Sequence, residues 1–79
     1  MTAQEVAAML DAQQRDAVLT GDPNAYYERM KPNAARPHNI SFALWKLGVW
    51  TEAGQITPFG EQVRAILQNA QSGATPAGE

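Results

Sequence analysis

The chain has 79 residues, a net charge of −2 and no cysteine. That length allows one small domain near the lower limit for a self-sufficient core, and the missing cysteines exclude a disulfide staple and a thiolate metal site. No apolar run is long enough to span a bilayer and no secretory leader pattern opens the chain, so the expected location is cytoplasmic.

Thr2-Ala3-Gln4-Glu5 has the form of a capping box, with Val6, Met9 and Leu10 following at helical spacing. A second cap signal, Asp11-Ala12-Gln13-Gln14, precedes Ala17, Val18 and Leu19. Residues 3–20 therefore read either as one helix or as a short turn feeding a helix at 12–20, ended by Gly21. Asp22-Pro23 supplies an N-cap and a first helical residue for a helix over 23–30, whose apolar content is Tyr26, Tyr27 and Met30. Pro32 forces that helix to end, and 33–36 is a connector of small residues.

Pro37 opens the next helix, expected over 37–47. Ile40, Ala43, Leu44 and Leu47 fall on one core-facing stripe, and Gly48 is the stop. His38, Asn39, Ser41, Phe42, Trp45 and Lys46 are left on its other faces. The segments 49–51 and 55–57 flank Glu52-Ala53-Gly54, a loop length suited to a β-hairpin with glycine at the positive-φ position. Thr57-Pro58 then caps a last helix with Phe59, Val63, Ile66, Leu67 and Ala70 inward and Glu61, Arg64 and Gln68 outward. Residues 71–79 are small and polar and read as a disordered tail behind a domain over 1–70.

Charge is unevenly spread. Residues 1–28 hold Glu5, Asp11, Asp16, Asp22 and Glu28 against Arg15 alone, whereas 29–51 hold Arg29, Lys31, Arg36 and Lys46 with no acid. An acid-free basic run points to an anionic partner more than the net charge argues against one. Catalysis is not expected. His38 is the only histidine, no cysteine nucleophile exists for it to activate, and no phosphate-binding glycine loop appears. The same scarcity of ligands leaves no metal site and implies no cofactor.

The motif formed by Leu44-Trp45-Lys46-Leu47-Gly48-Val49 and Ile56-Thr57-Pro58-Phe59-Gly60-Glu61-Gln62-Val63 resembles the winged helix-turn-helix superfamily of small bacterial and phage regulators. The resemblance implies a mainly α fold of three to four helices with a wing, the hairpin, between the last two. It also implies transcription regulation or a DNA-accessory role. Double-stranded DNA would then meet helix 37–47, with His38, Asn39, Ser41 and Phe42 at base edges. Arg29, Lys31, Arg36 and Lys46 would hold phosphates. The alternative is an adaptor or phage-encoded modulator that docks on a host protein and does not bind DNA. The acidic turn at Glu52 and the net charge favour that second reading, as do Trp45 and Trp50 if exposed as a protein interface; the usual place for large aromatics in a small domain is the core. A homodimer suits either, since a core this small gains stability from self-association.

Overall fold

The structure, a computed structural model, describes residues 1–72. Five helices follow in order: α1 (Ala3–Met9), α2 (Ala12–Thr20), α3 (Pro23–Met30), α4 (Pro37–Lys46) and α5 (Pro58–Ser72). The last helix continues through Gln71 and Ser72, two residues into the expected tail; the rest of that tail lies outside the described residues.

The first two helices are separate because each carries its own capping box, at Thr2 with Glu5 and at Asp11 with Gln14. Between them Leu10 is extended (φ −71°, ψ 138°) and buried, so the bend is held by an apolar side chain in the core. Arg15 donates to the Leu10 carbonyl at 3.0 Å and closes the corner. Gly21 takes the left-handed conformation that ends α2, and Asp22 accepts from Asn24 N–H at the start of α3.

α2 is the central helix and touches α3, α4 and α5, while α1 lies along α5. The fully buried core is aliphatic apart from one ring, Trp50, which joins Val6, Leu10, Val18, Ile40, Leu44, Val49, Val63 and Leu67 in a single cluster. Ala70, expected inward on α5, is exposed.

Gln13 is the one buried polar side chain among the described residues. Its amide donates to the Ala35 carbonyl at 2.6 Å and accepts from the Ala35 N–H at 2.9 Å. This two-sided bond satisfies a backbone unit of the 31–36 connector that has no strand or helix to pair with. It ties the entry of α4 to α2.

The expected hairpin is not formed, and the fold has five helices in place of three or four. No strand is present among the described residues; Trp50 and Ile56 share a single antiparallel bridge. Val49 and Trp50 N–H groups both donate to the Leu44 carbonyl, at 2.9 and 3.3 Å, so this arm wraps the end of α4 instead of extending. Side chains then no longer alternate, and Val49 and Trp50 are both buried. What remains of a wing is a turn closed by Thr51 N–H to Gln55 carbonyl at 2.7 Å and Thr57 N–H to Val49 carbonyl at 2.9 Å.

Thr57 caps α5 as the sequence predicts, accepting from Gly60 N–H at 2.9 Å. Its hydroxyl also donates toward the Gly48 and Val49 carbonyls, at 2.6 and 3.0 Å. Gly60 has a steric reason: a Cβ there would meet the Val49 carbonyl oxygen and come within 2.8 Å of Ile56 Cγ1. Gly60→Ala raises intrinsic helix propensity, yet overpacking is expected to win and cost about 1–3 kcal/mol. Gln13→Leu leaves both bonds to Ala35 unmade and is expected to cost about 1–3 kcal/mol. Chemical denaturation of the two variants beside the unaltered chain measures both.

Candidate functional site

The outer face of α4 collects most of the side chains that the sequence singles out. His38, Ser41, Phe42 and Trp45 fall at i, i+3, i+4 and i+7, a second stripe on the side of the helix away from Ile40 and Leu44. Phe42 is 52% and Trp45 40% exposed, large values for the residue types that usually fill a core. Their rings are tilted by 53° with centroids 5.6 Å apart. Lys46 lies over both, its Nζ 5.8 Å from the Phe42 ring and 5.9 Å from the Trp45 ring.

Because the 51–55 segment folds back as a turn, it brings Glu52 to this stripe. His38, Ser41, Phe42, Trp45 and Glu52 line a cleft of about 190 Å³. Glu52 is the site residue that sequence reasoning did not place there. Gly54, read from the sequence as the positive-φ residue of this turn, lies at φ +85°. The Glu52 carboxylate has neither an ion-pair nor a hydrogen-bond partner among the described residues. A larger groove, about 580 Å³, runs between α1, α2 and α5. Ala7, Ala8 and Ala12 line it, and it offers no aromatic anchor.

Trp50 separates from Trp45. At 3% exposure it belongs to the core, which removes it from the expected protein interface. The reason is the wrapped arm at 49–50, which turns both side chains inward.

The four expected phosphate contacts also divide. Arg29 reaches Asp16 at 3.5 Å and stacks over Tyr26, its Cζ 5.5 Å from the ring centre. Lys31 binds Glu28 at 3.0 Å, and that hydrogen bond together with the carboxylate charge holds its ammonium above the usual lysine range. Both cations are thus engaged by acids from the N-terminal part of the chain. Arg36, at the N-cap of α4, has no acidic partner among the described residues, and Lys46 has only the rings. Asn39 stands exposed in the first turn of α4.

Among the described residues no cluster of three or more His, Asp or Glu is placed to hold a metal. No helix there is long and apolar enough to cross a membrane. Comparison with protein-family models, with curated proteins and with solved structures finds no match to this chain. The fold and site define a compact all-α domain of five helices with one exposed aromatic stripe beside a free carboxylate.

The two engaged cations differ in what their loss exposes. Lys31→Gln removes an exposed pair and is expected to leave stability nearly unchanged. Arg29→Gln is expected to cost more than Lys31→Gln, because Asp16 also carries a buried carboxylate oxygen with no partner and would lose its one cation among the described residues. Parallel thermal melts rank the pair.

Proposed function

We propose that this domain is a protein-docking module that binds its partner through the outward stripe of α4. The carrying observation is the exposed Phe42–Trp45 pair on one rigid helix, flanked by Lys46 and Glu52. Large aromatic side chains with a charged rim are the composition of interface centres, where they fill pockets on the partner and supply most of the binding energy. A helix holds such anchors without an ordering cost at the moment of binding.

DNA binding is the second reading, favoured by the exposed first turn of α4 with Arg36, His38 and Asn39. In it, α3 and α4 joined by 31–36 are the helix-turn-helix pair. Magnitudes place it second. Of the four cations in 29–46, Arg36 and Lys46 are the two without an acidic partner among the described residues, and contacts from that pair give a salt slope of about −1.8, from −0.9 per neutralised phosphate. Four available cations would give about −3.6. Glu52 beside the stripe would also bring a carboxylate close to the phosphates.

The absence of cysteine permits a direct test. Asn39→Cys gives a single attachment point for a photo-crosslinker next to the stripe. A protein is expected to be captured, and its binding to the purified domain should weaken by at least about 2 kcal/mol on Phe42→Ala or Trp45→Ala. Both residues are exposed, so helical content should be unchanged. Capture of duplex DNA, or a captured protein that binds the alanine variants as well as the parent, would overturn the docking reading.

A further inference from the structure

We propose that the cleft between α4 and the 51–55 turn receives one arginine side chain from the protein partner. The inference rests on the docking reading and names the chemistry of its central contact.

Size limits the occupant first. About 190 Å³ is well below the roughly 300–1,000 Å³ of small-molecule sites. A single long side chain fits that space, and a drug-sized ligand does not.

Charge then selects among side chains. Glu52 is the only acid or base among Asp, Glu, Lys and Arg that lines the cleft, and it lacks a cation among the described residues. An acidic occupant would set two carboxylates against each other, and an apolar one would strip water from Glu52 without replacing it. A cation satisfies Glu52 and also meets the faces of Phe42 and Trp45, whose quadrupoles attract positive charge. Lys46 already occupies that role toward solvent, near both rings, but it is not among the residues lining the cleft. Both charges are exposed and screened alike, but Glu52 lines the cleft and Lys46 does not, so an occupant meets the carboxylate at the wall and the ammonium only across the rings.

Shape selects arginine over lysine. Guanidinium is planar, stacks on an aromatic face and offers paired donors that match a carboxylate. The Ser41 hydroxyl, half-buried at the cleft wall, supplies one further acceptor.

The test uses the full chain, labelled with ¹⁵N, and two probes: N-acetylarginine amide and its neutral isostere N-acetylcitrulline amide. Arginine is expected to shift the Trp45 indole N–H and the Ser41 and Glu52 amides in a saturable way. Citrulline should bind at least about tenfold more weakly. Glu52→Gln, an exposed change that leaves the remaining spectrum in place, should weaken arginine by a similar factor. Equal binding of the two probes, arginine binding unaltered by Glu52→Gln, or no shift up to about 100 mM would each overturn the arginine assignment. Random-sequence duplex DNA is titrated into the same sample. Salt-dependent shifts at Asn39, Phe42 and Trp45 with duplex would overturn the docking reading itself; their absence beside a failed arginine titration overturns only the assignment of the cleft.

Discussion

One side chain, Thr57, joins the end of α4 to the beginning of α5, and the rest of the fold depends on that junction. A helix terminus leaves carbonyls unpaired at one end and N–H groups unpaired at the other. A hydroxyl can donate once and accept as well. Thr57 uses both capacities, donating toward Gly48 and Val49 and accepting from Gly60. The two helix ends can approach this closely only because residue 60 has no Cβ. With the junction set, α5 is aimed along α1 and α2, Val49 and Trp50 are drawn into the core, and the 51–55 segment has only enough length to close as a turn. Helices as short as α1 and α3 are not stable alone, so they take their order from this α2–α5 frame.

Local chemistry was legible in advance because it is short-ranged. The boxes at Thr2 and Asp11, the stops at Gly21 and Gly48 and the cap at Thr57 each involve residues within four positions, and all appear where the spacing placed them. The hairpin failed for the opposite reason. Strand pairing depends on neighbours across and beside the strand, and here the competing acceptor was the Leu44 carbonyl at the end of the preceding helix. A period-two reading of Val49 and Trp50 had no means of seeing that acceptor. Gln13 was illegible on the same ground: its partner lies 22 residues away and is backbone, which carries no residue-type signal. The candidate site was half legible. The spacing of His38, Ser41, Phe42 and Trp45 is in the sequence; the arrival of Glu52 requires the turn.

The charge pattern shows how linear asymmetry can dissolve in three dimensions. The acidic N-terminal part and the basic run at 29–46 look like separate surfaces along the chain. α3 packs on α2, and this sets Arg29 against Asp16, while Lys31 turns back to Glu28 within one helical turn. Exposed pairs of this kind contribute little stability. Their effect on recognition is larger, because a cation already satisfied by a carboxylate has less to gain from a phosphate. Within that run the unpaired bases are Arg36 and Lys46, at the two ends of α4, with aromatic rings between them.

Trp45 and Trp50 are the same residue five positions apart with opposite fates. Burying a large apolar side chain stabilises a domain by about 1.5–3 kcal/mol relative to leaving it in water. A small core without staples would benefit from taking both. It takes Trp50, where the chain wraps inward, and leaves Trp45 outside, its ring tilted against Phe42 and beside Glu52. Helical periodicity forces this outcome: with Ile40 and Leu44 inward, positions 42 and 45 must face away. A residue that must face away has no packing reason to be Phe or Trp, and polar residues there would favour solubility. The docking reading proposed above accounts for the aromatic identity at those positions by contact with a partner. The turn that Thr57 and Gly60 impose places the Glu52 carboxylate beside those rings, so the junction that folds the chain also shapes the outer face of α4.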